Sequence, residues 1–297
     1  MFFKNLQLYR LPAPWAMSAD ALAAALAPHT FVPPSSNELL RQGWTAPRGA
    51  GLVHSVGGQY LLQLATEKKL LPAAVIRQAA QDRAAALERE QGFAPGKKAM
   101  QELRERVADE LLPRAFPVKS ALHVWIDPAN GWLAIDTANA ASADGVVKLL
   151  LKAVDRMPLA SLRVAHAPVA VMTGWLDADE APAGFSIDQD AQLRAAGESR
   201  AEVGYRRHTL EPDDMRRHIA AGKQCTRLAL TWNSRISFVL TETLALRAIR
   251  PLDVLKEGAA AAYNDDERFD SDFALMAGEY AQLLADLAAA LGGEAAT

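Results

Sequence analysis

The chain is poor in the features by which enzymes and membrane proteins usually declare themselves. Its 297 residues include one cysteine, Cys225, which excludes an internal disulfide framework and any zinc site built on several thiolates. No apolar run approaches the ~20 residues that a membrane helix needs. The opening Met1-Phe2-Phe3 is too short for a signal peptide and is soon interrupted by Gln7, Tyr9 and Arg10, so the expected setting is a reducing cytoplasm. A phosphate loop and a G-x-S-x-G nucleophile elbow are both missing. The histidines at 29, 54, 123, 166, 208 and 218 form no helical pair around a glutamate. Cys225 lies in an alternating strand pattern and reads as a buried, inert thiol rather than a nucleophile. Asp127 and Asp136 flank a hairpin and could be imagined as metal ligands, but no third acid is marked, and the Asp-Pro turn explains Asp127. The sequence therefore assigns no catalytic residue, no metal site and no cofactor.

An excess of cations is missing too. The formal net charge is −3, which by itself argues against a nucleic-acid partner. The average hides a segregation. From Asn264 to Thr297 the charge is −7, so the residues before it carry +4. Between Arg200 and Arg235 the cations 200, 206, 207, 216, 217, 223, 227 and 235 outnumber four acids, a local +4. A basic body with an acidic last helix is compatible with a polyanion-binding face and a repelling outer face.

What is present is an α+β pattern. Phe2–Leu11 reads as a strand, then Ser18 caps a short helix with Leu22 and Leu26 one turn apart, stopped at Pro28. Leu52–Val56 and Gln59–Ala65 flank Gly57-Gly58 and predict a hairpin. Pro72 to Pro113 carries two narrow apolar stripes, Ile76/Ala80/Ala84/Leu87 and Met100/Leu103/Val107/Leu111, separated by Gly92–Gly96. That is an antiparallel helical hairpin with wet outer faces, bracketed by prolines as a protruding insertion. Strands follow at Ala121–Ile126 and Trp132–Asp136, then a helix at Ser142–Met157. In the second half, Val169–Trp175 and Ser199–Arg207 read as strands, Pro212–Gly222 as a helix, and Lys223–Trp232, Arg235–Thr241 and Leu244–Ile249 as an antiparallel meander. The last helix, with Phe269, Phe273, Met276, Tyr280, Leu283, Leu287 and Leu291, is core packing or a dimer seam. The two halves share an α+β flavour without a residue-level repeat.

Strand alternation sharpens the meander. Leu228, Leu230 and Trp232 should share a face with Ile236, Phe238 and Leu240, leaving Lys223, Arg227, Thr231, Ser237 and Thr241 on the other. Such a basic, hydroxyl-bearing face could meet backbone phosphates without reading bases. It could equally be an ordinary solvated face. Arg216, Arg217 and His218 at the end of the Pro212 helix, with Asp213 and Asp214 at its start, follow the helix dipole. Arg206-Arg207-His208 has no such explanation.

The residues also resemble a known family. Phe3-Lys4-Asn5-Leu6 with Tyr9-Arg10-Leu11, Leu71-Pro72, Val75-Ile76, Gln78-Ala79, Leu111-Leu112-Pro113-Arg114-Ala115-Phe116, and Trp125-Ile126-Asp127 with Asn130-Gly131 carry the likeness in the first half. His218-Ile219, Ala221-Gly222-Lys223, Leu228-Ala229-Leu230 with Trp232, Arg235-Ile236, Arg268-Phe269-Asp270, Asp272-Phe273 and Leu291-Gly292-Gly293-Glu294-Ala295 carry it in the second. In order and spacing they resemble the recombination-associated protein RdgC family. The resemblance implies an α+β protomer with antiparallel sheets and packed helices in a central domain (1–71 and 118–165) and a base domain (166–297, with the long last helix), plus a helical-hairpin tip (72–117). It implies a homodimer closed into a ring, which requires a self-complementary contact at each end of the protomer. It further implies a nucleoid-associated, replication-associated cytoplasmic protein that binds duplex DNA, and single strands more weakly, without sequence preference. Such a protein restrains RecA-promoted recombination and has no catalysis. On this reading Arg206, Arg207, Lys223 and Arg227 contact phosphates, with Thr231 beside them. His208 stands where the family has an amide-bearing residue, and Lys97 and Lys98 at the tip turn are weaker DNA candidates. Phe116 resembles the aromatic of the tip contact, although a core anchor under the hairpin fits it as well. A metal-dependent DNA-processing enzyme and a protein–protein scaffold without DNA contact are the competing readings.

Overall fold

Alternating apolar positions in the first half pair into one antiparallel sheet with both faces covered. The computed structural model describes residues 2–197, 199–257 and 264–295. The first sheet contains β1 (Gln7–Arg10), β2 (Leu40–Thr45), β3 (His54–Val56), β4 (Gln59–Lys69), β5 (Pro117–Asp127), β6 (Trp132–Ile135) and β7 (Ala160–Ser161). Their order is β2-β4-β5-β6-β1-β7, with β3 beside the start of β4. Leu62, Leu64, Val124, Ile126, Leu133 and Ile135 belong to a core shared with residues of α1 (Ala19–Leu26) and α4 (Ala140–Ala153). Leu61, Trp125 and Ala134 belong to a second core, shared with the last helix, α8 (Asp265–Ala290).

Local chemistry sets most of these elements. The Ser18 hydroxyl accepts the Ala21 N–H and starts α1 as expected, while Pro28 falls in the 3₁₀ turn Ala27–His29 that ends it. Gly57 and Gly58 both take positive φ, as a tight hairpin turn between β3 and β4 requires. Strand β2 escapes the sequence pattern because Gly43 sits in its middle. The glycine is needed there: a Cβ would lie 2.4 Å from Phe31 Cα, where the chain crosses on its way to pairing with Trp44.

The two stripes after Pro72 become α2 (Ala73–Gln91) and α3 (Lys97–Leu111), with Gly92 in the left-handed conformation closing the first. They share a small core of Ala80, Ala84, Leu103 and Val107. At their root the buried Lys69 donates from Nζ to the carbonyls of Leu112 (3.1 Å) and Ser36.

The second sheet contains β8 (Phe185–Ala195), β9 (Glu202–Tyr205), β10 (Lys223–Trp232), β11 (Ile236–Thr241) and β12 (Leu246–Pro251), in the order β12-β11-β10-β8-β9. Its strand number and order differ from those of the first sheet. Helices α5 (Pro168–Ala178), α6 (Pro212–Ala220) and α7 (Asp253–Glu257) accompany it.

One expectation is overturned here. Val169–Trp175 is not a strand but part of α5, started by Pro168 in its first turn. The β-branched Val169 and Val171 suggest a strand, but Met172 and Leu176, one helical turn apart, are what this segment buries. The strand in this region, β8, lies downstream in a stretch to which the sequence pattern assigned nothing. The strand expected at Ser199–Arg207 shortens to β9.

Helix α8 contributes Phe273, Met276, Tyr280, Leu283, Leu284 and Leu287 to the same core as Leu61 and Trp125 of the first sheet and Leu230 and Phe238 of the second. Its stripe is core packing. The Tyr280 hydroxyl donates to the Phe3 carbonyl at 2.7 Å and ties the first residues to this helix.

Candidate nucleic-acid interface

The β10–β11 register follows the alternation argument. Leu228 faces Leu240, Leu230 faces Phe238 and Trp232 faces Ile236, and all six are buried. Arg227 and Thr241, and Thr231 and Ser237, pair on the opposite side, and Ser237 is also opposite Arg250 of β12.

Lys223 is the exception. Cys225 pairs with Leu193, yet Arg227 already pairs with Gln192, so Thr226 is an extra residue in β10. This bulge reverses the alternation. Lys223, opposite Ala195, therefore shares the side of Cys225 and Leu193, which both enter the core, and not the side of Arg227. The Cys225 N–H is taken by the Thr173 hydroxyl of α5 at 2.9 Å, so the irregular backbone is satisfied.

The outer face is also less basic than the alternation alone suggests. Strand β8 brings Asp188 and Asp190 to it. The Thr231 hydroxyl donates to Asp188 at 2.8 Å, and the Thr241 hydroxyl is buried against the Ala245 backbone. Arg194 is held by Glu242 at 2.6 Å. The face is mixed in charge, and two of its expected hydroxyls are already engaged.

A cluster of exposed basic residues lies at one edge of this sheet. Arg206, Arg207 and His208 form the exposed turn after β9, the edge strand. Neither arginine has a carboxylate at ion-pair distance among the described residues. Arg207 takes a left-handed φ of 49°, and its N–H donates to Asp190 at 2.6 Å. His208 is exposed, and its Nδ1 donates to the Thr209 carbonyl at 2.8 Å. Arg207 and Arg250 line one depression of about 610 Å³, with Asp188, Asp190 and Ser237 between strands β8 and β12. Sequence reasoning missed Arg250. Its signal was the Ala-Ile-Arg-Pro run, in which Ile249 turns inward and Arg250 out.

Other charges are consumed internally. Arg216 and Arg217 pair with Asp213 and Asp214 of their own helix. The acidic last helix does not form a repelling outer surface. Asp266 pairs with Arg48 at 2.6 Å and Asp270 with His54 at 2.8 Å. Glu279 pairs with Arg235 at 2.5 Å and Glu294 with Arg10 at 2.8 Å. Asp286 accepts the indole N–H of the buried Trp232 at 2.8 Å. Three arginines counted with the basic body are thus counter-charges for the last helix and residues just beyond it.

Lys97 and Lys98 are exposed in the first turn of α3. Phe116 is 81 % exposed at the hairpin root, so it is no core anchor.

Among the described residues, no group of three or more His, Cys, Asp or Glu side chains could hold a metal ion. Burial pushes the Cys225 thiol up to about 12. Asp127 accepts N–H groups of Ala129 and Asn130, and Asp136 accepts those of Lys4 and Asn5, so both carboxylates have structural work. No helix among the described residues is long and apolar enough to cross a membrane.

Fold and surface define an α+β protein with two antiparallel sheets and a cationic edge. Comparison with known proteins gives the family. A family model described as "RdgC: Putative exonuclease, RdgC" matches residues 1–294. A recombination-associated protein RdgC of Janthinobacterium sp. (strain Marseille) is 60% identical over 296 residues, 99% of each chain. Proteins of the same name from Herminiimonas arsenicoxydans (58% over 298 residues, 100% of this chain and 99% of the other) and Cupriavidus necator (56% over 296 residues, 99% of each) are similarly close. The chain belongs to the RdgC family of recombination-associated proteins.

Proposed function

We propose that this protein binds DNA without sequence preference, chiefly as duplex and more weakly as single strands. It acts as a homodimer closed into a ring, and restrains RecA-promoted recombination by occupying DNA in the nucleoid. The observation that carries the reading is the Arg206-Arg207-His208 turn: two exposed guanidiniums without carboxylate partners among the described residues, and an exposed imidazole beside them. Arg250 across the same depression and Arg227 on β10 extend it. Lys223 contributes from the flank of the sheet. The neutral-to-acidic net charge is no obstacle, because α8 and the residues that follow it spend much of their acid on internal partners. In this reading the protomer has a central domain (1–71, 118–165), a tip (72–117) and a base (166–297), and the exposed Phe116 belongs to a contact between copies.

A gel-shift series over salt, on linear and on closed circular duplex, tests the proposal alongside a mass measurement. Binding should weaken steeply with salt through counterion release. A dimer should form, and circular duplex should load more slowly than linear. Failure to retain duplex at low salt would favour a protein–protein scaffold.

The family model's description favours a second reading, a DNA-processing enzyme. Incubating pure protein with end-labelled duplex and Mg²⁺ or Mn²⁺ separates the two, since strand shortening would replace the binding-only reading.

A further inference from the structure

Helix α6 turns one polar side chain toward the interior. Met215, His218 and Ile219 lie three and four positions apart and share a face. Met215 is buried in the core that spans both sheets, and Ile219 packs against it. His218 is half-buried, and its Nε2 is hydrogen-bonded to the Tyr205 hydroxyl at 3.1 Å. The two rings meet edge-on, with centroids 6.1 Å apart. Tyr205 is the last residue of β9, opposite Ala191 of β8, and its ring packs on the same core. Arg206, Arg207 and His208 follow it directly. The Tyr205–His218 bond thus closes a loop of 13 positions that begins with the three exposed basic residues. Within that loop the His208 imidazole returns to lie 5.8 Å from the Tyr205 ring. On the β8 side Asp190 takes the Arg207 N–H, and the Gln189 carbonyl accepts the His208 N–H at 3.3 Å. Helix α6 is itself fixed, because Arg216 Nε donates to the Asp177 carbonyl of α5 at 3.1 Å.

We propose that His218 is a positioning residue for the Arg206-Arg207-His208 turn, acting through the Tyr205 hydroxyl and touching no phosphate itself. The inference rests on the duplex-binding reading above and adds two residues behind its surface. A loop that carries binding cations loses conformational freedom when it docks, and a loop already closed at its base has less to lose. Strand β9 is the edge strand, so ladder bonds to β8 hold its end from one side. The bond to α6 supplies the second anchor at the residue that leads into the turn. An aliphatic side chain at 218 would fill the same face of α6 without the cost of burying a polar ring. What the imidazole adds is a directional tie, and its partner is the residue next to Arg206.

Fluorescence anisotropy with a labelled duplex over a salt series tests this, with hydrogen exchange of residues 206–209 measured alongside. Tyr205→Phe keeps the ring on the core and removes only the hydroxyl. It should weaken binding about three- to tenfold, the range of one net hydrogen bond, and speed exchange in the turn. The slope of log K against log salt should stay at the wild-type value, because no phosphate contact is lost. His218→Ala should do the same, and the double variant should bind no more weakly than either single one. His218→Gln offers a side-chain amide at similar reach and should restore most of the affinity and the slow exchange. Wild-type affinity in Tyr205→Phe overturns the positioning role, as does a failure of His218→Gln to restore binding. A slope lowered by about 0.9 in either single variant also overturns it, since that residue would then be a phosphate contact. The variant carrying Arg206→Ala and Arg207→Ala separates the two levels. If it binds duplex as the wild type does, the duplex-binding reading of the turn falls and the positioning role with it. If it loses affinity while Tyr205→Phe does not, the positioning role alone falls.

Discussion

The Asp190 carboxylate accepts the backbone N–H of Arg207 at 2.6 Å and holds that residue in its left-handed conformation. One acid thereby aims the cation of the proposed phosphate contact while adding negative charge to the same depression. The two roles separate by substitution. Asp190→Asn keeps an acceptor and removes the charge, so duplex affinity should rise a few-fold. Asp190→Ala releases the turn, so affinity should fall despite the lost charge. Fluorescence anisotropy with a labelled duplex checks both.

Arg206→Ala with Arg207→Ala should weaken binding to all sequences alike. Each lost phosphate contact lowers the slope of log K against log salt by about 0.9, so the double variant should lose nearly 2 from that slope. An unchanged slope would move the interface elsewhere.

The Trp232–Asp286 hydrogen bond joins the second sheet to the last helix. Trp232→Phe should cost about 1.5–3 kcal/mol, the range for a bond to a charged group. Asp286→Ala should cost a similar amount by stranding a buried N–H, and the double variant should cost less than the sum. Urea unfolding of the three variants measures the coupling.

Stability should depend on pH through two groups near the N-terminus. Burial lowers the His123 pKa from 6.5. The unfolded chain therefore binds the proton more readily, and this part of stability is full above about 6.5 and lost as pH falls toward the depressed value. Burial raises the Asp136 carboxyl above 3.8, against the N–H donations of Asn5 and Lys4. Here the folded state holds the proton, so the contribution is full below about 3.8 and lost as pH rises through the raised value. Asp136→Asn, which keeps an acceptor for both N–H groups, should raise the unfolding midpoint near neutral pH. His123→Gln should flatten the dependence just below pH 6.5. Thermal melts across pH 4–8 compare them.

Cys225 should resist a thiol reagent at pH 8 in the native protein and react only on unfolding, since burial keeps the thiolate scarce. Fast native labelling would contradict the packed bulge at Thr226.

Much of this architecture was readable from spacing. The helical hairpin, the β10–β11 register and the core stripe of α8 follow from periods of 3.6 and 2 with clear turn residues. The misses have physical causes. Val169–Trp175 is too short an apolar run for its period to decide between strand and helix. One inserted residue, Thr226, inverts Lys223, and pattern alone does not announce a bulge. The acids of β8 were invisible to an argument about β10 and β11 alone. The ion pairs of α8 bring together residues more than two hundred positions apart, such as Arg48 and Asp266. The Arg206-Arg207-His208 turn stood out because no local rule explained its charge.

Helix α8 also follows both sheets in the order of the chain. Until it emerges from the ribosome, the apolar faces of the two sheets that meet it have nothing to cover them, so the shared core closes only after both sheets have been made. Chains cut short before Phe273 would carry two sticky sheets and invite chaperones or proteases.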